Sequence, residues 1–316
     1  MRLPRRIALL FPLFFLLLPA AALQAASREV RVGAFVNSIS AIDAVSGTYN
    51  ISLYLWFLDP AGTFDPKTDL YVLARSSTMS EVYSERGPDG GGYVSVRVDA
   101  VVDQEFDLTD FPFDEQTLLL RLEAAETVDT LRLVPDTEAP QIADYVELVD
   151  WTLGKVALAT SDHRYTVRYG LADTGPQVFS QIELTVAAAR VQTSVVIDDF
   201  LGFIFSFIIS ALIYFVPCNE LATRVGMTTG SLFAALLNMN RLLQAAGFKS
   251  EFGLVEKLGF LIFGAILCSL VVSIIMKRLV QRWGLERTNR LDGIIGLIVM
   301  PAFLIAIIIV LRDGMT

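Results

Sequence analysis

Between Glu220 and Gln244, a run built mainly of Leu, Ala, Met and Phe is interrupted by Thr223, Thr228, Thr229, Ser231, Asn238, Asn240 and Arg241. Polar side chains at membrane depth face a wet cavity or a helix interface, so they serve either an ion path or interhelical hydrogen bonding. At about 100° per residue, two helical faces compete. One carries Glu220, Met227, Ser231, Ala234, Asn238 and Arg241; the other carries Gly226, Gly230, Phe233, Leu237, Asn240 and Gln244. Polarity slightly favours the first. A second cluster, Asp107-Leu-Thr-Asp-Phe-Pro-Phe-Asp-Glu-Gln116, sets Asp107, Asp110 and Asp114 around the apolar Phe111-Pro112-Phe113. Aromatic rings on an exposed loop need a partner surface. Enzymatic chemistry is not expected: the only histidine is His163, and there is no nucleophile–His–acid set, phosphate-cradling glycine loop or metal-ligand cluster. No cofactor is expected either.

The elements that must position these groups fall into two halves. A mean hydropathy of +0.54 over 316 residues is too apolar for a wholly soluble protein. Residues 27–192 hold 12 basic and 26 acidic side chains, a net charge of −14, whereas residues 193–316 hold 10 and 8, a net of +2. So acidic a half repels phosphate backbones and excludes nucleic acid as an expected partner. Residues 1–26 read as a signal peptide: Arg2, Arg5 and Arg6 precede the apolar run Ile7–Leu18, with a cut after Ala25 or Ala26. No cysteine lies in residues 27–192, and Cys218 and Cys268, in or beside apolar runs, read as packing residues.

Within the expected domain 27–192, residues 30–190 read as strands. Val30, Val32 and Ala34 alternate with Arg31 and Gly33, Tyr93–Asp99 alternates too, and turn clusters follow at 59–62, 87–92, 135–140 and 173–176. The expectation is an antiparallel β-sandwich. Residues 193–316 hold four apolar segments, expected as membrane helices over about 198–217, 221–246, 253–279 and 291–312. Lys277, Arg278, Arg282, Arg287 and Arg290 make the third connection basic and cytoplasmic, which puts the strand half outside. The chain is therefore expected in the inner (plasma) membrane, multi-pass, its first domain periplasmic. Four such helices cannot enclose an aqueous path alone, so a pore needs several subunits around an axis.

The 107–116 segment resembles the signature of the pentameric ligand-gated ion channels, the Cys-loop receptor superfamily: Asp-x-x-x-Phe-Pro-x-Asp-x-Gln. Gln104 and Leu118 stand where animal members carry the flanking cysteines, as in prokaryotic members. Tyr145–Trp151 resembles the family's strand after the second ligand loop, and Arg190 the basic residue ending the last extracellular strand. Ala222-Thr-Arg-Val-Gly-Met227 resembles the opening of the pore-lining helix, and Met300-Pro-Ala-Phe303 the start of the fourth helix. The likeness spans residues 30–312. Departures are the missing prolines in the first helix and in Gly247–Gly253, and a cytoplasmic insertion shrunk to about Lys277–Arg290.

The resemblance implies a homopentamer, each chain with four identical partners in lipid, conducting small ions through a central pore. Its register, anchored on Arg224-Val225-Gly226, selects Gly226, Gly230, Phe233, Leu237, Asn240 and Gln244 as pore-lining. Phe233 and Leu237 would close the pore by dewetting, and Glu220 would favour cations. Coupling is expected where Asp107, Asp110 or Asp114 approaches Arg190 or Lys249, with Phe111, Pro112 and Phe113 against the outer ends of the helices. Ligand contacts are expected from Tyr83, Tyr165, Tyr169 and Phe179 at subunit interfaces. The ligand is an amine, a proton, a divalent ion or another small molecule. The alternative is a non-conducting, membrane-anchored periplasmic ligand sensor.

Overall fold

The computed structural model describes residues 27–138, 140–148, 150–167, 176–246 and 252–314, with the backbone alone over 192–198. The first half is a mixed β-sheet domain. Its strands are β1 (Arg28–Asp43), β2 (Thr48–Asp59), β3 (Leu70–Leu73), β4 (Ser76–Arg86), β5 (Gly92–Asp103), β6 (Glu115–Thr127), β7 (Leu131–Pro135), β8 (Gln141–Ile142), β9 (Trp151–Tyr165) and β10 (Gln177–Arg190). A single helical turn, α1 (Pro66–Asp69), precedes β3. One sheet runs β4-β5-β2-β1-β7 with β8 also on β1; the other runs β3-β6-β10-β9.

Period-two alternation decides which residues go inside. Val30, Val32, Ala34 and Val36 of β1 and Ile51, Leu53, Leu55 and Phe57 of β2 join one core with Leu118, Leu120 and Leu122 of β6 and Ile182, Leu184 and Val186 of β10. Each such side chain contributes about 1.5–3 kcal/mol when fully buried. The Ser180 hydroxyl of β10 accepts the Leu133 N–H of β7 at 3.0 Å, joining the two sheets.

The expectation of an antiparallel sandwich needs correction, because β1 pairs in parallel with β7 (Arg28↔Leu131 to Val32↔Pro135) and with β8. The chain crosses from one sheet to the other in the turn after β6. It therefore meets the free edge of β1 running in the same direction, and the sheet is mixed.

The helical half follows β10 after Val191: α2 (Gln192–Leu212) with a 3₁₀ turn over Ile213–Phe215, α3 (Leu221–Ala246), α4 (Leu254–Trp283) and α5 (Leu285–Asp313). The expected bounds of the second segment are met, and the first helix starts six residues earlier than position 198. The basic stretch Lys277–Arg290, expected as a connection, is helical except at Gly284. There the backbone takes φ +80°, a value open to glycine and strained for other residues, and this one residue separates α4 from α5.

By length and composition, α4 and α5 are able to cross a membrane, and the apolar part of α2, Asp199–Phe215, is shorter. Only 11% of the apolar window of α5 is buried, leaving Ile294, Leu297, Ile298, Ile305 and Ile309 exposed. Too much apolar surface for water is uncovered there, which marks a membrane-associated protein.

At the far end of the sheet domain, Asp59 organises the β2–α1 turn. Its carboxylate accepts the N–H groups of Ala61 (3.0 Å), Thr63 (2.7 Å) and Phe64 (2.9 Å). Burial pushes this carboxyl up, but those three N–H groups and the nearby Arg28 outweigh it and hold the group below its usual value. A depressed carboxyl contributes stability above its unfolded value near 3.8, lost as pH falls through the lower folded value. Asp59→Asn should therefore cost about 1–3 kcal/mol at pH 7 in denaturant melts of the detergent-solubilised chain. The gap between variant and wild type should close as the melts are repeated below about pH 4.

Candidate functional site

The 104–118 loop is built from its own side chains. Asp107 accepts the Thr109 N–H (3.0 Å) and hydroxyl (2.7 Å), while Phe111 N–H donates to Leu108 O (3.1 Å) and Phe113 N–H to Asp110 O (2.8 Å). The Phe111–Pro112 peptide is cis. Gln104 joins the stems: its amide donates to Thr117 O (2.8 Å) and accepts the Leu119 N–H (3.0 Å). These two bonds straddle Leu118, which is buried in the core.

Phe111 and Phe113, expected to need a partner surface at the outer ends of the helices, are buried at 5% and 7% exposure within the chain itself. Phe113 stacks on Phe200 of α2, with centroids 6.3 Å apart, and Phe200 continues to Phe203. The guanidinium of Arg190 lies 4.9 Å from the Phe111 ring and 4.4 Å from Trp151. Arg190 Nε also donates to Asp114 at 2.6 Å, and the other oxygen of Asp114 accepts Gln116 Nε2 at 2.8 Å. Of the expected partners, Asp114 and Arg190 form an ion pair. Asp107 caps its own loop, Asp110 is exposed, and Lys249 lies outside the described residues. On the helix side, the Leu254 N–H at the start of α4 donates to Thr109 O at 2.8 Å. A Cβ on Gly253 would stand 2.7 Å from that same oxygen, so glycine permits the approach.

The two faces of α3 are now distinguishable. Arg224, Thr228, Ser231, Ala235, Asn238, Leu242 and Ala246 are buried inside the chain. Two members of the more polar face are thus internal: Ser231 donates to Thr228 O at 2.9 Å, and Asn238 sits against Gly202 of α2, where a Cβ would come within 2.6 Å. Met227 and Ala234 are half-buried, and Arg241 pairs with Asp199 at 3.1 Å. Gly226, Gly230, Phe233, Leu237, Asn240 and Gln244 are all exposed, Phe233 at 61% and Leu237 at 68%. A Cβ at Gly226 or Gly230 would meet nothing within 4 Å. Glu220 is exposed just before the helix begins.

Tyr165 and Phe179 come together at the β9–β10 edge, with rings edge-to-face at 5.6 Å, and His163 lies 4.4 Å from Tyr165. The Tyr165 hydroxyl donates to Glu123 at 3.1 Å, and Gln181 Nε2 donates to the same buried carboxylate at 2.6 Å. Tyr83 lies on β4 in the other sheet, its ring 6.1 Å from Tyr93 and its hydroxyl donating to Glu85 at 2.7 Å. That bond, and the charge of Glu85, raise the phenol above its usual pKa. Tyr169 lies outside the described residues. Among the described residues, no group of three or more His, Cys, Asp or Glu could hold a metal ion.

Sequence reasoning missed Trp151, Phe200, Gln104 and Glu123. Trp151 ends the quoted Tyr145–Trp151 run, and that position was the available signal. Glu123 lies among ordinary alternating strand residues and gave none. A comparison with protein-family models finds no match, and a comparison with curated proteins finds none either.

Asp114 and Arg190 are 2% and 14% exposed, so removing one partner strands a charge in a largely apolar pocket. Asp114→Ala should destabilise the chain by about 3–5 kcal/mol. Adding Arg190→Ala should cost much less than the sum of the single losses. A double-mutant cycle read by thermal melts in detergent checks the coupling.

Proposed function

We propose that the chain is one subunit of a pentameric ligand-gated ion channel. The observation that carries this reading is the division of α3. Arg224, Thr228, Ser231 and Asn238 are turned into the chain, while Gly226, Gly230, Phe233, Leu237, Asn240 and Gln244 form a stripe that the described residues leave exposed. A stripe that is small at one end, apolar in the middle and amide-bearing at the other suits the wall of a water path better than lipid. α5, with its uncovered apolar surface, suits the lipid side.

In this reading the four helices form a membrane bundle with the basic α4–α5 turn inside and the sheet domain outside. Phe233 and Leu237 of the subunits form apolar rings that close the path by dewetting. Glu220 and the acidic outer domain favour cations. A ligand between neighbouring sheet domains is read by Tyr165 and Phe179 of one subunit, with Tyr83 offered from another. Binding there shifts the junction at Asp114 and Arg190, which touches α2 directly through Phe113 and Phe200 and α4 through Thr109. Both contacts lie within one loop, so a small displacement of the sheet domain acts on two helices at once.

Purified protein in planar bilayers, scanned against pH, Ca²⁺ and amines, should pass gated cation current. Phe233→Ala should raise the resting current by about tenfold or more, since a ring packed against its counterparts in the closed pentamer would contribute about 1.5–3 kcal/mol to that form. Failure of the wild type to conduct under every condition would point instead to the non-conducting sensor.

A further inference from the structure

The most deeply buried charges in the helical half are not at the junction. Arg224, the fourth residue of α3, and Asp292 of α5 are each 1% exposed and meet at 2.5 Å. Around the guanidinium, Nε donates to Val216 O at 3.1 Å, Nη2 also donates to that carbonyl, and Nη1 reaches Ser273 Oγ of α4 at 3.4 Å. Cys218 Sγ stands 3.5 Å from Nη2.

This is an unfavourable place for a cation. The first turn of a helix carries partial positive charge from its unpaired N–H groups, so an arginine there meets the wrong sign of field. Burial adds a desolvation penalty of several kcal/mol, which neutral oxygens alone do not offset. Asp292 is the one carboxylate paired with it. One turn earlier, Glu220 carries the opposite charge and is exposed. Two residues of opposite sign at the same end of α3 are thus sorted, the anion left facing solvent and the cation drawn inward against α4 and α5.

We propose that Asp292 is a specificity-determining residue: by holding Arg224 off the ion path it leaves Glu220 as the charge of the inner mouth, and so sets selectivity for cations. The proposal rests on the channel reading above and adds a residue that would touch no ion. With Asp292 neutral, the guanidinium loses its counter-charge and turns to the water of the path. The charges of Arg224 and Glu220 then cancel in each subunit. The half-buried Lys277, whose ammonium donates to Asn219 O at 2.8 Å, is a neighbouring cation present in every variant. It is therefore a constant background.

The test is the reversal potential under a salt gradient for reconstituted wild type, Asp292→Asn and the double variant Arg224→Gln/Asp292→Asn. Focusing of counter-ions by a charged mouth is worth tenfold or more in local concentration. The cation-to-anion permeability ratio should therefore fall by about tenfold in Asp292→Asn and recover in the double variant. A merely structural role for Asp292 would change channel number and leave the ratio alone. An unchanged ratio, a fall that the double variant does not reverse, or an anion-selective wild type would overturn this assignment while leaving the channel reading intact. A wild type without current would overturn both.

Should Asp292→Asn yield no channels, Arg224→Cys with Asp292 retained, in a chain with Cys218 and Cys268 replaced by Ser, gives the second measurement. A membrane-impermeant thiosulfonate should leave its current unchanged. Rapid modification with loss of cation current would place position 224 on the path and overturn the proposal.

Discussion

Arg190 joins the two halves of the molecule. It is the last residue of β10, separated from α2 by Val191 alone, and its guanidinium is held by Asp114 and lies against the rings of Phe111 and Trp151. One side chain thus ties together the end of β10, the start of β9 and the 104–118 loop. A charge in such a site is stable only while its partner is in place, because neither ring replaces the lost solvation. The loop is in turn held by what Arg190 holds: Asp114 also orients Gln116, whose amide reaches back to Asp107 O at 2.5 Å. The position of Phe113 against Phe200 therefore depends on an ion pair beside the start of α2.

How much of this could be read from the sequence depends on the range of the interaction. Alternation in β1 and β5 is a local property, and Val30, Val32, Ala34, Val96 and Val98 are buried as it requires. The loop motif marked Asp114 and Arg190 as partners, though with Asp107, Asp110 and Lys249 as equal candidates. The structure pairs Asp114 with Arg190, while Asp107 accepts from Thr109 and Asp110 is exposed. The parallel pairing of β1 with β7 was not legible, since it depends on where the chain changes sheets and not on any pattern within β7. Phe111 and Phe113 were expected against the helices, but the sequence did not name Phe200 of α2 as the ring that Phe113 meets. The Arg224–Asp292 pair, 68 residues apart, had no local signature at all.

The helices divide their polar groups in a way that only a low-dielectric surround explains. Ser210 and Ser269 meet at 3.2 Å between α2 and α4, Ser273 and Thr228 donate to carbonyls in their own helices, and all four are buried. Meanwhile the outer surfaces of α4 and α5 carry Phe260, Leu267, Val271, Ile298 and Ile308, all exposed. A water-soluble domain distributes these groups the other way. α3 departs from this pattern: along with Phe233 and Leu237 it leaves Asn240, Arg241 and Gln244 on its exposed side. A mixed face of that kind suits neither lipid nor a dry core, which is why the orientation of α3 weighs more in the functional reading than its composition does.

The bridge made by Gln104 bears on how stiff the junction is. Two neutral hydrogen bonds contribute about 1 kcal/mol each in net terms, whereas a disulfide closing a loop of this size contributes about 3 kcal/mol by restricting the unfolded chain. A covalent link also fixes the stems in every conformation, while hydrogen bonds are exchanged for water when the stems part. Leu118 offsets part of the difference by entering the core, since its burial opposes any slip of the stem that would expose it. The loop is thus anchored firmly at its Asp114 and Phe113 side and more loosely at Gln104. If it moves as a body, it should hinge at the Gln104 stem, with the displacement largest at Thr109, whose carbonyl accepts the Leu254 N–H of α4.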